Sequence, residues 1–406
     1  MHITVVGTGL AALCLMPVTT FAQSAFSPFA GVSVEHDSNV FGFSDREAAE
    51  RATGSPALSD TIRRANVGAD LQHTFGQQTL RVGVQGGRND FQRFGQLDHT
   101  HYRWGAGLDW RLGDRVDGQL GWRREQRMAS LADRQSTELA LEHERIGTAA
   151  LNLDFGADWR LENTVSSRLL ESPLVDQPDF ALEEDSVSTE LRHSGWGLFS
   201  AGLRAQYLDG RFTGTTLGEE PFDQVTVEAV ANYAASGLSQ LNARLGHSRR
   251  RDRLDAGNDT SAVTGLISME RTFSGVTSAD LELFRQISSF AYGPDSMIES
   301  GVRSSLRWQP TSRTTVQAGL EWSRYTFQDS AQSGQTGEPV RHDRQRSAFL
   351  RAQYAPRPWL SLHPYVHVRD RSSNYPEQRY DKYVVGLEVR IRFGRALPTE
   401  AMDRRY

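Results

Sequence analysis

His99-Thr100-His101-Tyr102-Arg103-Trp104-Gly105-Ala106-Gly107-Leu108-Asp109-Trp110-Arg111-Leu112 is the stretch that decides the fold of this chain. Tyr102, Trp104, Ala106, Leu108, Trp110 and Leu112 fall on one face. His101, Arg103, Gly105, Gly107, Asp109 and Arg111 fall on the other. A period of two held this long predicts a β-strand with one apolar and one polar face. The apolar face runs aromatic, small, aromatic, which suits a strand crossing a bilayer with rings at both interfaces.

Working outward, the chain repeats this strand. The first strand is read from Phe26 to about Phe41, followed by a polar stretch to Asp60. Ala65, Val67, Ala69, Leu71 and Phe75 form the next ladder, turning at 76–78 into Leu80, Val82 and Val84. Gly113-Asp114 has two-residue hairpin chemistry and leads to Val116, Leu120 and Trp122. The same alternation recurs in pairs of ladders through to Tyr383, Val385, Leu387, Val389, Ile391 and Phe393. About 18 strands result, with short and long connections alternating strictly and no helical period of useful length. Strands of about 11 residues rising ~3.3 Å each and tilted ~40° would span ~28 Å, the apolar height of an outer membrane. The fold expected is all-β: a single transmembrane antiparallel barrel over 23–394, with short periplasmic turns and longer extracellular loops.

Composition bounds the partners. The chain has 406 residues and a formal net charge of −5, which argues against nucleic acid. Mean hydropathy is −0.51, as befits strands of which only alternate residues meet lipid. No mature stretch reaches 18 apolar residues, which excludes helical spans. Basic residues are almost all Arg, with Lys382 the sole lysine. Residues 1–22 read as a signal peptide ending Thr20-Phe21-Ala22, and residues 395–406 as a tail beyond the last strand. The lone cysteine, Cys14, falls in that leader, so the mature chain carries no thiol chemistry. Localisation in a bacterial outer membrane is expected, with its lipid and lipopolysaccharide as partners.

Two rings of outward aromatics follow from the register. Trp110, Trp159, Tyr233, Trp308, Tyr354 and Phe393 stand beside short turns; Tyr102, Trp122, Tyr207, Trp322 and Tyr383 stand at loop ends. The polar wall of the pore takes Arg81, Arg103, Asp109, Arg111, Asp117, Arg123, Glu299, Arg303, Arg307, Glu321, Arg351, Glu388, Arg390 and Arg392. Inward glycines, such as 68, 83, 319 and 386, thin that wall. At 18 strands a water-filled channel is expected. Mixed charge suits a hydrated neutral or weakly charged solute. Phe349, His363, Tyr365 and His367 are candidates for stacking on sugar faces, or equally a packing cluster.

Catalytic signatures are missing. The sequence has no Gly-x-Ser-x-Gly elbow and no His-Glu-x-x-His pair, so no enzyme is expected. His99 and His101 at i, i+2 read as a rim feature rather than a metal site. Glu35, Asp37 and Asn39 share a strand face and are weak calcium candidates. No cofactor is expected. Arg249-Arg250-Arg251-Asp252-Arg253 at a loop end either meets lipopolysaccharide phosphate or is a solvated loop.

Residues 27–41 (Ser-Pro-Phe-Ala-Gly-Val-Ser-Val-Glu-His-Asp-Ser-Asn-Val-Phe), Ser59-Asp60-Thr61-Ile62-Arg63, Asn89-Asp90-Phe91-Gln92-Arg93-Phe94 and Leu97 through Arg103 carry a resemblance. In these the chain resembles the EpsL-type outer-membrane barrels of exopolysaccharide biosynthesis operons, within the β-barrel porin group. The likeness covers most of the mature chain and is sharpest over 27–135. It implies export of a newly made exopolysaccharide, alongside periplasmic components of a secretion system. It offers no catalytic residues. The tail after Phe393 departs from barrels that stop at a terminal aromatic. General or nutrient uptake, and a non-conducting structural barrel closed by stretches such as 42–60 or 326–343, are the alternatives.

Overall fold

The computed structural model describes residues 23–172, 180–215, 218–254, 259–293, 295–328 and 339–394. The leader at 1–22 and the tail at 395–406 lie outside the described residues. Eighteen strands follow in order: β1 (Gln23–Asp37), β2 (Asp60–Phe75), β3 (Gln78–Phe91), β4 (His99–Leu112), β5 (Val116–Met128), β6 (Leu141–Phe155), β7 (Trp159–Glu171), β8 (Ala181–Trp196) and β9 (Phe199–Thr215). Then come β10 (Gly218–Ser236), β11 (Ser239–Asp252), β12 (Thr260–Ser274), β13 (Thr277–Ser289), β14 (Ser296–Thr311), β15 (Thr314–Phe327), β16 (His342–Arg357), β17 (Leu360–Ser373) and β18 (Tyr380–Arg392). Each pairs antiparallel with its sequence neighbours, and β1 pairs with both β2 and β18, so the sheet closes into a barrel. Both described termini lie at the short-turn end, where Phe29 faces Arg392 across the seam.

The exterior explains itself by solvent chemistry. Val67 is 64% exposed, Leu203 67%, Leu245 64% and Leu320 64%; in water such a surface would be untenable, and in hydrocarbon it is required. On β2 the outward series Ala65, Val67, Ala69, Leu71 carries no charge between Arg63 above and His73 below. The other strands repeat this uncharged band. A closed ladder also pairs every strand edge, the condition for backbone to sit in lipid. The chain is therefore built to span a bilayer. At the short turns Gly76, Gly113, Gly156 and Gly197 take φ of 60, 64, 63 and 71°, where a Cβ would be strained.

Four expectations are corrected. An α-helix, α1 (Arg46–Thr53), stands in the β1–β2 connection, capped by Asp45 at its start and Gly54 at its end. A single helical turn, α2 (Leu131–Arg134), stands between β5 and β6. The first strand ends at Asp37, and Phe41 packs instead in a loop cluster. Long and short connections do not alternate strictly: β9 and β10 extend past their neighbours and only residues 216–217 separate them. The strands run 13 to 19 residues rather than about 11, because most continue beyond the membrane.

Candidate functional site: the lumen and its loop-side cap

The inward face is a wall of ion pairs. Arg81 meets Asp109 at 2.5 Å, Arg103 meets Glu125 at 3.1 Å and Arg123 meets Glu144 at 3.1 Å. Asp117 holds Arg160 at 2.9 Å and accepts from Asn152 at 2.7 Å. Arg303 bridges Glu282 at 2.9 Å, Glu321 at 3.3 Å and Glu299 at 3.6 Å. Arg390 sits 2.8 Å from Glu388, and Arg392 2.9 Å from Asp70. Arg111 and Arg307 also take inward ladder positions, opposite Asp117 and Gln317 respectively. The wall therefore carries charges of both signs, many of them engaged with one another. Each hydrated pair contributes only about 0–1 kcal/mol to stability.

Rings and glycines alternate round the same wall. Phe349 lies over Gly319 of the facing strand, whose Cβ would stand 2.3 Å from the ring; the Arg351 guanidinium lies 4.9 Å from the ring centroid. Tyr365 lies over Gly386 and donates to Glu35 at 2.5 Å. Phe29 over Gly68, Phe284 over Gly301 and Phe222 over Gly210 repeat the arrangement. The inward glycines thus make room for flat rings. His363 accepts or donates to Ser361 at 2.8 Å, and His367 stands opposite Phe349. The four candidates for sugar contact share β16 and β17, and two of them have their ring faces engaged by the wall itself.

The loop end of the barrel is crossed. An 18-stranded wall at about 4.8 Å per strand and ~40° tilt is roughly 35 Å across if circular. Yet Ser130, after β5, donates its backbone N–H to the Tyr292 hydroxyl at 2.9 Å, and Tyr292 follows β13, eight strands on. Tyr292 in turn donates to Glu142 of β6 at 2.5 Å. Neither side chain spans such a distance, so the β13–β14 turn leans over the mouth and meets the 129–140 connection. Asp133 pairs with Arg371 of β17, and Gln135 donates to Glu377 O at 2.9 Å. Burial and Glu142 push the Tyr292 phenol up, and burial pulls the Arg134 guanidinium down.

Apolar side chains weld this cap. Val40, Phe41, Ile62, Phe91, Phe94, Leu97 and Leu131 form one cluster under the loops of the first three strand pairs. Leu170, Phe180, Leu182, Phe212 and Phe222 form a second beneath the β13–β14 turn, with Arg250 stacked 3.4 Å above Phe222. Between the first cluster and the wall lies a polar cavity of about 580 Å³, lined by Glu35, Arg64, His99, His101, Arg103, Glu125, Arg127 and Lys382 among others. Described loops thus meet across part of the mouth of the water-filled channel expected from strand number. Residues 42–60 contribute Phe43 and Ala57 to the cap; of 326–343, residues 329–338 lie outside the described residues.

The weaker ligand candidates have other partners. Arg64 and Tyr365 hold Glu35, and Lys382 holds Asp37 at 2.9 Å. Asn39 lies past the strand and donates to Phe43 O and Asp381 O. His99 contacts Leu97 O and Asn89; His101 contacts Asn66. The Arg249–Arg253 run does not present one face, because Arg250 points inward and is 5% exposed, while Arg253 pairs with Asp209 and Asp223.

Sequence reasoning missed Glu142, Glu144, Arg168, Glu184 and Tyr292. In Glu142-His143-Glu144-Arg145 both faces of the strand are charged, so parity does not reveal which points inward. The available signal for the cap was Ser130, whose side chain receives the Asp133 N–H at 3.4 Å, before an apolar Leu131 in a loop.

The outward rings sit as the register dictates. Trp110, Trp159, Tyr233, Trp308 and Tyr354 stand toward the short turns, with Phe393 just past the end of β18. Tyr102, Trp122, Tyr207, Trp322 and Tyr383 stand toward the loops, with Trp104 packed 4.1 Å from Trp122. A closed barrel with an uncharged outward belt and aromatic borders defines an outer-membrane β-barrel, and its place is the bacterial outer membrane. Neither a protein-family profile nor a curated protein sequence matches the chain. Among solved structures it is similar to Pseudomonas aeruginosa OccK9 (OpdG), at 13% identity, 91% of this chain and 98% of that one, and a TM-score of 0.47. It is likewise similar to Pseudomonas aeruginosa OpdK solved with vanillate, at 11% identity, 91% and 98% coverage, and a TM-score of 0.46. The alcaligin outer-membrane receptor FauA of Bordetella pertussis is similar at 11% identity, 90% and 76% coverage, and a TM-score of 0.42.

Proposed function

We propose that the barrel is an outer-membrane channel through which a hydrated exopolysaccharide leaves the cell during its synthesis. The observation that carries this reading is the self-neutralised wall. Arginines and carboxylates alternate round the lumen and engage one another, so the path is polar and wettable without holding an ion of either sign. A glycan chain with weak net charge is the solute that such a wall passes without trapping. The resemblance of residues 27–135 to exopolysaccharide-operon barrels supports the same substrate. Transport is passive here, driven by synthesis and by periplasmic secretion components, and the cap opens outward to release polymer. Deletion of the gene should leave polymer in the periplasm, and normal surface polysaccharide in a clean deletion would overturn the proposal. One observation favours a second reading, uptake of a small solute: the cavity of about 580 Å³ beneath the cap matches a small molecule rather than a chain. Conductance of the cap-shortened protein in planar bilayers separates the two. Block by oligosaccharides but not small solutes supports export, and the reverse supports uptake.

A further inference from the structure

Most inward arginines are paired; a clustered set of outward ones is not. On the loop side of the lipid-facing band, Arg285 of β13, Ser300 of β14, Arg324 of β15 and Arg344 of β16 face one another in register across four adjacent strands. Arg346 stands two residues nearer the membrane, directly opposite Trp322. Arg324, Arg344 and Arg346 have no ion-pair partner among the described residues, and Arg285 donates only to the Val263 carbonyl, at 3.0 Å. All four are exposed. Two outward carboxylates are near: Asp370 stands opposite Arg346 in the ladder without bonding to it, and Asp381 stands opposite Asp370, both on the wall of the groove described next. Elsewhere on this rim several arginines are paired, as Arg88 is by Asp90, Arg145 by Glu171 and Arg211 by Glu183, and those without an ion pair among the described residues, Arg63, Arg124 and Arg251, do not face another unpaired arginine in the ladder.

The second observation lies directly below. The outer surface there is grooved, because Ser304, Ala318 and Ala348 stand between Leu306, Leu320 and Trp322 on neighbouring strands. One groove of about 610 Å³ begins at Arg346 and Trp322. A second of about 620 Å³ shares Ser304, Leu320 and Ala348 with it and continues to Phe273 near the short-turn end. A row of guanidiniums above a long apolar furrow is complementary to one kind of molecule: a glycolipid with phosphates on its sugars and several acyl chains. Guanidinium binds phosphate through paired N–H donors, and the chains bury in the furrow.

We propose that the β13–β16 face is a specific site for the phosphorylated glycolipid of the outer leaflet, lipid A, with Arg285, Arg324, Arg344 and Arg346 on its phosphates and the Ser304–Ala348 furrow taking an acyl chain. The inference rests on the outer-membrane placement and not on the substrate of the channel.

The test uses the full chain, refolded in detergent, with diphosphoryl lipid A and its dephosphorylated form as probes in native mass spectrometry. Wild-type protein should retain diphosphoryl lipid A at least tenfold more strongly than the dephosphorylated form. The R324A/R344A/R346A variant should lose that preference, and R249A, on β11, should keep it. Ala348→Trp, which fills the furrow and leaves the arginines, should weaken both forms. Folding of each variant is checked by heat-modifiable gel mobility. Equal retention by the triple variant overturns the proposal. So does a wild-type dimer that the triple variant converts to monomer with lipid A retention unchanged, since the face is then a contact between copies.

Discussion

Releasing the cap is the sharpest perturbation that the structure suggests. In the double variant D133N/Y292F, two links across the mouth are removed and no wall residue is touched. Tyr292 loses its hydroxyl, which donates to Glu142 at 2.5 Å and accepts from Ser130 at 2.9 Å. Asp133 loses its charge against Arg371, whose side chain is only 8% exposed. Hydrogen bonds to charged groups are worth about 1.5–3 kcal/mol each. In an opened mouth all of these groups return to water, so the two losses together shift the closed-to-open balance by about 3–6 kcal/mol. At 1.4 kcal/mol per decade, the open fraction should rise on the order of 100- to 10,000-fold until it saturates. Single-channel recording in planar bilayers reads this as long openings in place of closed stretches, with the unit conductance set by the unchanged wall. An open probability equal to wild type would refute the reasoning, because it would mean that these contacts do not hold the mouth.

Other consequences are testable at single positions. Val67→Arg puts a charge in the middle of the uncharged belt and should cost ~2–4 kcal/mol in unfolding from lipid bilayers, while Asn66→Arg, one residue away and inward, should cost little. Phe222→Ala removes a ring that is 2% exposed, between Gly210 and Arg250, and should destabilise the barrel by about 3–5 kcal/mol in urea titration. Asp45→Ala should accelerate hydrogen exchange at Ala48, whose N–H the Asp45 carboxylate receives at 2.7 Å. That hydrogen bond holds the Asp45 carboxyl below its ordinary value. The cap of α1 is therefore intact above the ordinary carboxylate range and is lost only as pH falls through the lowered value, which exchange measured against pH will show.

The barrel was legible because hydrocarbon imposes a rule on every second residue, and β4 obeys it through Tyr102, Trp104, Ala106, Leu108, Trp110 and Leu112 without exception. Polar contacts obey no such rule. That Arg81 meets Asp109 depends on the register of β3 against β4, which alternation alone does not set. The cap was less legible still. Ser130 and Tyr292 are far apart in sequence, and nothing in either loop names the other. Phe41, Phe91, Phe94 and Leu97 did carry a hint, since loops that float free in water have no use for so many large apolar side chains. Helix α1 was hidden by its length: Asp45 and Gly54 bracket it properly, but eight residues are too few to show a period.

The seam between β1 and β18 also dictates a chronology. One edge of the first strand can pair with β2 early, but its other edge can pair only once the last strand has been made, so a growing sheet carries two unsatisfied outer edges until then. Those edges must be shielded on the way to the membrane, and loss of the final strand alone would leave the cylinder split along its length.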